Sequence, residues 1–371
     1  MLIRGQRSLA HIERIEWVRP IEGADNIELV GVLGWSCIAK KGEFKQGDKA
    51  VYIEIDSRVP AEEPFLFLAS KGFKVKTMKL GKFKVISQGL ALPLSYFHPS
   101  LGNYEVGEDV TEVLKIVKIE DEVDAPVIRY TKKEIEFLKH PIVVVLMKFK
   151  WFRKMVEGIL LKRSIKRAWP VEVSKTEEER IENMPYLLGD PNCWVITEKL
   201  DGTSTTYLAR RKRKKIEFIV CSRNHRLTEK DNIYWRNAVK YDIEGVLTSY
   251  LKHHPEAKWV AIQGESIGPS VQGNPYKLTE ERFYAFNFID SNRGRYNSLS
   301  AYEQLTSYNV PFVPIVGMAP LRKTMEETKK DADGNSEINK EVKREGLVYR
   351  RVDGGASFKN ISREYLLKNK K

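Results

Sequence analysis

Five consecutive residues, Glu198 to Gly202, carry the strongest chemical signal in the sequence. Lys199 stands at the end of a predicted strand, an acid follows two residues later at Asp201, and Gly202 allows the backbone to turn tightly. A lysine amine can serve as a nucleophile once it has lost its proton. A solvated lysine before a turn produces the same short pattern, so K-x-D-G alone leaves both interpretations open.

Further short motifs follow Lys199 in a fixed order. Each is unspecific when taken alone, but the ordered set is a strong signal. The set comprises Cys221-Ser222-Arg223-Asn224, Gln263-Gly264-Glu265, the aromatic strand Arg282 to Phe288, Arg344 to Arg350 and Ser357 to Asn360.

This series resembles the covalent nucleotidyltransferase superfamily, which contains ATP-dependent nucleic-acid ligases and mRNA capping enzymes, over roughly residues 171–371. More narrowly, the chain is similar to ATP-dependent RNA ligases with an oligonucleotide-binding (OB) domain ahead of the adenylyltransferase domain. The narrower resemblance extends over almost the whole chain, and the segments that carry it are 24–27, 75–79, 87–90, 174–180 and 234–236.

The resemblance implies that Lys199 attacks the α-phosphorus of ATP and becomes lysyl-AMP. The nucleophile must be a neutral amine, whereas an ordinary lysine has a pKa of about 10.4. Burial near a divalent cation would lower this pKa. Asp201, Glu265 and Glu345 are expected to meet around Mg²⁺ or Mn²⁺, directly or through its waters, because Mg²⁺ usually keeps several waters and binds few carboxylates.

The resemblance also implies roles for residues that would contact ATP. Lys359 and Arg223 are expected to hold phosphate or ribose oxygens, since a cation aimed at developing charge assists phosphoryl-type transfer. Phe286 is predicted to stack on adenine, with packing in the core as the alternative. Glu198 would read the base edge through a nearby main-chain carbonyl, and Glu265 would also lie near the ribose. Each acid could instead form a surface ion pair.

The end of the sequence affects which residues hold pyrophosphate. Only 12 residues follow Lys359, so we expect no C-terminal barrel of the kind that DNA ligases and capping enzymes use for this purpose. Lys175 and Arg180 are the candidates for the β and γ phosphates, and a solvated helix start is the alternative. Many family members carry a second basic residue two positions after the lysine that corresponds to Lys359. Ile361 stands there, and Arg363 could take over that role.

The first third of the chain consists of short alternating runs separated by turn signals. This spacing predicts a five-stranded OB-like barrel, with any other small β-domain as the alternative. The predicted strands are 27–32, 35–39, 50–55, 85–86 and 90–94.

The region from residue 171 onward mixes strands and helices. We therefore predict an α+β protein, in which the OB-like barrel precedes a nucleotidyltransferase (ATP-grasp-like ligase) domain of antiparallel sheets flanked by helices. The expected domains are 1–130, a basic helical linker at 131–170, and 171–371. Predicted strands are 194–198, 203–209, 216–221, 259–263, 283–289, 347–351 and 357–360, and predicted helices are 232–250, 300–307 and the start of 324–343.

Basic residues are concentrated in two segments of a chain whose net charge is +13. Lys139 to Arg167 carries nine Lys or Arg and one acid, which predicts a basic amphipathic helix joining the domains. Arg210 to Lys215 is an uninterrupted basic run that could meet nucleic-acid phosphates at a hairpin tip. In both cases a solvated basic face is an alternative. The helix could also touch nucleic acid or a membrane surface, and the basic run could be a nuclear-targeting signal.

Composition excludes several other classes. Three cysteines without a C-x-x-C pair argue against a disulfide framework or a cysteine zinc site. The longest apolar run, Ile142 to Met147, is far shorter than the roughly 20 residues of a membrane helix. No P-loop motif is present. We expect an intracellular, cytoplasmic monomer without a membrane partner.

These observations predict an ATP-dependent RNA ligase that joins 3′-hydroxyl and 5′-phosphate ends, acting on RNA or on a nicked duplex that contains RNA. Nick sealing in RNA repair is the expected setting. The alternatives are a DNA ligase or capping-type nucleotidyltransferase, and a catalytically inactive nucleic-acid-binding protein. The intact set of Lys199, Asp201, Glu265, Glu345 and Lys359 argues against the inactive protein.

Overall fold

The fold consists of an N-terminal β-barrel and a C-terminal α+β domain. A computed structural model describes residues 2–3, 6–97, 101, 103–119, 168–213 and 215–368, together with eight separate positions between 140 and 156. Within these residues, the secondary structure follows the predicted order closely.

The N-terminal region contains thirteen strands, most of them short. They are β1 (Leu2–Ile3), β2 (Gln6–Arg7), β3 (Ala10–Arg14), β4 (Trp17–Pro20), β5 (Ile27–Val32), β6 (Trp35–Lys40), β7 (Lys49–Ile53), β8 (Ser57–Arg58), β9 (Lys74–Val75), β10 (Met78–Leu80), β11 (Val85–Ser87), β12 (Leu90–Pro93) and β13 (Val117–Lys118). Three 3₁₀ helices, Leu66–Lys71, Gly81–Phe83 and Leu94–Phe97, lie between or after them.

Six of these strands form the barrel, and the predicted OB-like fold is confirmed. Strands β3 and β4 were not among the predicted strands, and the predicted strand at 85–86 pairs with β10 instead. One sheet has the order β12-β7-β3 and another has the order β4-β5-β6, and the consecutive strands β3 and β4 join the two. The barrel closes where the Gln88 N–H donates to the Ser36 carbonyl at 2.8 Å, next to β12 and β6. Alternating side chains fill the interior, among them the fully buried Ile12, Val30 and Tyr52.

The C-terminal domain contains nine strands and five α-helices within the described residues. The strands are β14 (Trp194–Lys199), β15 (Thr203–Lys212), β16 (Lys215–Cys221), β17 (Trp259–Ile267), β18 (Arg282–Asp290), β19 (Gly294–Arg295), β20 (Ile315–Ala319), β21 (Gly346–Arg351) and β22 (Ser357–Ile361). The helices are α1 (Ile233–Lys240), α2 (Ile243–His253), α3 (Ser298–Ser307), α4 (Met325–Asp331) and α5 (Arg363–Lys368), and two 3₁₀ turns occupy Ile181–Asn183 and Pro185–Leu187.

Two antiparallel sheets form the framework of this domain. The larger has the order β16-β15-β17-β18-β19 and the smaller has the order β20-β14-β21-β22. Helices α1, α2 and α3 cover the larger sheet through a core that includes Leu247, Phe288 and Leu305. The smaller sheet packs on a separate cluster around Trp194 and Phe358. The two sheets therefore have their own cores, and a cleft is left between them.

The predicted helix 232–250 is two helices. Asn232 caps α1 by accepting the Trp235 N–H at 3.1 Å. The chain leaves the helical conformation at Tyr241, and Asp242 adopts a left-handed φ of 45° before α2 begins. In α2 the buried residues Ile243, Val246, Leu247, Tyr250 and Leu251 recur at helical spacing. The apolar periodicity passes through the break, and this is why the sequence pattern predicted one helix.

The two basic segments have different outcomes. The predicted helix from Lys139 to Arg167 lies largely outside the described residues. In the other segment, Arg210 pairs with Glu172 and Glu217, and Arg211 donates to the carbonyls of Leu251 and Ala257. Lys212 also pairs with Glu217 at 3.4 Å, so at least three of the segment's six basic side chains are bound within the protein, while β15 and β16 form the predicted hairpin.

No helix in the described part of the chain is both long enough and apolar enough to cross a membrane.

Burial of α2 against the larger sheet predicts a large stability difference between two apolar helix residues. Leu247 is 0% exposed and Val239 is 79% exposed. We expect Leu247→Ala to lower the free energy of unfolding by about 2–5 kcal/mol, and Val239→Ala to change it by less than about 0.5 kcal/mol. Denaturant unfolding followed by circular dichroism measures both, and equal effects would contradict this packing.

Candidate active site

A pocket of about 260 Å³ lies between the two sheets of the C-terminal domain. The ends of β14 and β15, the middle of β17 and β18, and strands β21 and β22 contribute side chains to it. Of the predicted site residues, Glu198, Lys199, Arg223, Glu265, Phe286 and Lys359 line this pocket.

Lys199 is the last residue of β14, where that strand pairs with β21. Its Nζ donates to Glu345 Oε2 at 2.7 Å, and the two side chains are 26% and 18% exposed. Burial acts to lower the pKa of Lys199, but the charge and hydrogen bond of Glu345 outweigh it, so the pKa is raised. In this state the lysine is a protonated partner in an ion pair.

Three carboxylates surround this amine. Besides Glu345, the charges of Glu265 and Asp201 act on Lys199. Burial raises the pKa of Glu265 to about 8 against the opposing effect of Lys199, and the like charges of Glu345 and Asp201 add to the rise. Burial likewise raises the pKa of Glu345. With a pKa of about 8, Glu265 is mainly protonated at neutral pH, because burial and its like-charged neighbours disfavour the ionised form.

Asp201 is fixed from two directions by tyrosines. Its backbone N–H donates to the Tyr276 hydroxyl at 2.7 Å. Its carboxylate accepts the hydroxyl of Tyr365, which lies on α5 and is 8% exposed. The last helix of the chain thus touches the acid of the K-x-D-G motif, a contact that no sequence pattern indicated.

Lys359 lies on β22 and lines the pocket opposite Lys199. Burial lowers its pKa to about 8, and the charges of Arg180 and Lys199 add to this effect. The backbone of Arg180 forms a parallel bridge with Lys359. Arg180 therefore lies close to the pocket without lining it, and the exposed Lys175 does not line it either.

Phe286 is half-buried on β18, and its ring is accessible from the pocket. The Arg350 guanidinium lies 5.5 Å from the ring centroid and donates to the Phe286 carbonyl and to Glu178, both at 2.7 Å. Sequence reasoning missed Arg350 and Glu178 as site residues. Strand alternation could have found Arg350, because Val348 and Arg350 lie on the same face of β21 and both line the pocket.

Glu198 has a structural partner as well as a place at the pocket wall. Its side chain is buried, and Oε2 accepts the Glu337 N–H at 2.7 Å. Burial raises the pKa of this carboxyl. The loop after α4 is thereby tied to the residue before Lys199.

The predicted metal residues come close to one another but do not form a compact ligand set. Asp201, Glu265 and Glu345 all interact with Lys199. Among the described residues, no group of three or more His, Cys, Asp or Glu side chains is placed to hold a metal ion directly. Contact through metal-bound water is the arrangement that remains compatible with these positions.

A two-sheet domain with a lysine at the base of the cleft, surrounded by carboxylates and a second lysine, defines the class of covalent nucleotidyltransferases. Comparison with known proteins shows which family of this class the chain resembles. A family model described as an OB-fold domain matches residues 9–94, and one described as RNA ligase matches residues 192–362.

Solved structures agree over the whole chain. An RNA ligase of Naegleria gruberi with PPi is 34% identical, with a TM-score of 0.69 and coverage of 98% of this chain and 99% of that one. A lysine-to-alanine mutant with ATP and Mn is 33% identical with a TM-score of 0.70, covering 97% and 99% of the two chains. A lysine-to-methionine mutant with AMP and Mn is 34% identical with a TM-score of 0.71, covering 98% and 99%. Among curated proteins, none matches.

The chain belongs to the RNA ligase family, and the predicted resemblance and fold class are confirmed.

Gly202 allows β15 to approach β17 next to Lys199. A Cβ at this position would lie 2.5 Å from the Ser266 carbonyl oxygen and 2.8 Å from Glu265 Cγ. Gly317, on β20, would have nothing within 4 Å of its Cβ. We expect Gly202→Ala to lower Tm by about 2–10 °C, while Gly317→Ala leaves Tm nearly unchanged. Thermal unfolding measures both, and an unchanged Tm for Gly202→Ala would show that the close approach is not required.

Proposed function

We propose that this chain is an ATP-dependent RNA ligase that works in three steps. Lys199 takes AMP from ATP, the AMP passes to a 5′-phosphate of RNA, and a 3′-hydroxyl then displaces it to form the phosphodiester. The observation that carries the proposal is Lys199 in the pocket between two sheets, with Glu345 and Lys359 at its sides. The relatives solved with ATP and Mn, with AMP and Mn, and with PPi support the choice of nucleotide.

The first step requires the Lys199–Glu345 ion pair to open. A protonated amine has no free electron pair, and the ion pair keeps Lys199 protonated. Once one proton has gone to solvent, Nζ forms a bond to the α-phosphorus, and the nitrogen then loses a second proton to solvent. The bond from the α-phosphorus to the bridging oxygen breaks, and pyrophosphate leaves with the electron pair.

Glu265, which lines the pocket, and the neighbouring Asp201 and Glu345 fit a hydrated divalent cation. Asp201, Glu265 and Glu345 outnumber the single lysine among them, and their mutual repulsion contributes to the raised pKa of Glu265. Mg²⁺ or Mn²⁺ held through waters would offset this charge and neutralise the phosphates of ATP. The three carboxylates would hold the cation, and they would also orient Lys199.

The remaining pocket residues are assigned to ATP. Lys359 and Arg223 would hold phosphate or ribose oxygens, since both line the pocket. Phe286 would stack on adenine, with Arg350 behind it fixing the ring. Glu198, which lies in the pocket wall, would help to recognise the edge of the adenine base. Arg180 and Lys175 are assigned to the β and γ phosphates, the former through its position next to Lys359.

A groove of about 1170 Å³ on the barrel is suited to single-stranded RNA. Phe67 and Tyr96, which are 58% and 45% exposed, stand in its lining and offer faces on which bases can stack. Five lysines and only two acids line the same groove, which suits a polyanion; the lysines are Lys40, Lys71, Lys74, Lys76 and Lys79.

The rest of the proposal concerns organisation and setting. We assign the barrel to residues 1–130, the linker to 131–170 and the adenylyltransferase domain to 171–371. We also propose that the chain acts as a monomer. All three cysteines are free thiols, and this supports a reducing intracellular compartment such as the cytoplasm. Repair of nicked RNA is the proposed role.

Removing Lys199 should abolish the covalent intermediate. After incubation with ATP and Mg²⁺, we expect the intact mass of the wild-type protein to rise by one AMP, and Lys199→Ala to show no gain. Lys252→Ala, at an exposed lysine of α2, is the matched control and should behave as wild type. An adduct that survives in Lys199→Ala, or its absence from the folded wild-type protein, would overturn the assignment.

Substitutions in the groove should weaken binding of RNA before any chemistry takes place. We expect Phe67→Ala to weaken binding of single-stranded RNA by about 5- to 100-fold, the loss of one stacking contact. Lys76→Ala should lower the slope of log affinity against log salt by about one. Fluorescence anisotropy measures both, and Tyr186→Ala, an exposed tyrosine outside the groove, is the control. If Phe67→Ala binds like the control, the groove is not the RNA site.

The strand preference is tested separately. Matched nicked duplexes that differ only in having RNA or DNA on the 3′-hydroxyl side should be sealed at different rates, with RNA preferred. Equal sealing of both would favour the broader activity of a DNA ligase.

A further inference from the structure

The turn between β5 and β6 of the barrel rests on the C-terminal domain. Leu33 and Gly34 both have left-handed φ values, 49° and 76°, and a Cβ on Gly34 would come within 2.7 Å of Met325 on α4. Lys329, also on α4, donates from its Nζ to the Gly34 carbonyl at 2.6 Å. This turn is therefore a contact between the two domains, and neither Leu33 nor Gly34 lines the groove on the barrel.

Trp35 follows this turn and meets two cations of the other domain. It is only 1% exposed and belongs to the barrel core. The Arg180 guanidinium carbon lies 5.3 Å from its ring centroid, and Lys329 Nζ lies 5.7 Å from it. Both distances fall within the range of attraction between a cation and an indole face.

Glu182 provides the negative charge that this pair of cations requires. Its carboxylate lies 3.0 Å from Lys329 Nζ, and the two side chains are 5% and 6% exposed. Burial acts to raise the pKa of Glu182, yet the charges of Lys329 and Arg180 hold it below its usual value. The tryptophan ring and one carboxylate thus hold two cations together in a buried space.

The segment that carries Arg180 also forms part of the active site. The Lys359 N–H donates to the Glu179 carbonyl at 2.7 Å, and Thr176 bonds to Ser204 at 3.0 Å on the pocket side. On the barrel side, Lys118 of β13 pairs with Glu177 at 3.2 Å. Residues 176–180 are therefore held between the barrel and the pocket, with Trp35 and Lys118 on one side and Lys359 and Ser204 on the other.

We propose that Trp35 is a positioning residue for the first step of the reaction: its ring holds the Arg180 guanidinium next to Lys359, where the β and γ phosphates of ATP depart as pyrophosphate. The proposal rests on the proposed function. It assigns to the barrel a part in activating ATP, in addition to its part in binding RNA. The chemistry of the step is unchanged, because Trp35 acts only through Arg180.

Comparing the first and the last step of the reaction distinguishes this role of Trp35 from a general effect on the enzyme. Pyrophosphate is involved in formation and reversal of lysyl-AMP, and it takes no part in sealing an RNA nick that already carries AMP. We expect Trp35→Leu, which keeps an apolar side chain but removes the ring, to slow adenylylation by about 3- to 30-fold. The KM for pyrophosphate in the reverse reaction should rise by a similar factor, and sealing of the pre-adenylylated nick should stay close to the wild-type rate.

Two further single variants and one double variant keep the test decisive if loss of the ring disturbs the barrel. Trp35→Phe retains an aromatic face and should recover most of the rate. Arg180→Lys leaves the barrel core untouched, but it replaces the planar guanidinium that stacks on indole, and it should show the same selective loss. Adding Trp35→Leu to Arg180→Ala should cause no further slowing of adenylylation, because the tryptophan then has nothing to position.

The outcomes are distinguishable. Equal slowing of adenylylation and of pre-adenylylated sealing, or additive losses in the double variant, would overturn the positioning role. A wild-type rate of adenylylation in a folded Trp35→Leu protein would do the same. If the wild-type protein forms no lysyl adduct at all, the proposed function fails instead, and the two failures cannot be confused.

Discussion

The site depends on one constraint, which is that three carboxylates must be held around a single lysine in a half-buried cleft. Like charges at such short range repel, and the raised pKa of Glu265 reflects this repulsion together with burial. Two sheets with separate cores make the arrangement possible, because each carboxylate is anchored in a different strand or turn. Lys199 Nζ pairs with Glu345 in the resting protein, and a divalent cation nearby would favour the ionised form of Glu265.

The sequence was sufficient to predict the parts of the site that recur as ordered motifs. Lys199, Glu265, Phe286 and Lys359 reach one pocket because strand ends and strand alternation place them there. The barrel was predictable for a similar reason, since alternating runs and turn residues are local properties of the chain. Where a local pattern sets the structure, the sequence prediction agrees with the fold.

Contacts between distant segments were not predictable in this way. Tyr365 reaches Asp201, and Trp35 reaches Arg180, only after the domains have packed. A single reversed φ at Asp242 divides one predicted helix into two, because apolar periodicity does not register a local change of backbone direction. Arg210 and Arg211 resembled free charges in the sequence, yet neighbours that are remote in the chain bind both of them.

The position of α5 has a practical consequence. Tyr365 is buried against Asp201, whereas Leu367, two residues later on the same helix, is 45% exposed. A short rigid helix therefore connects the acid of the reactive motif to the protein surface. A fluorophore attached at position 367 would report from outside the protein on how the site is filled, without entering the cleft.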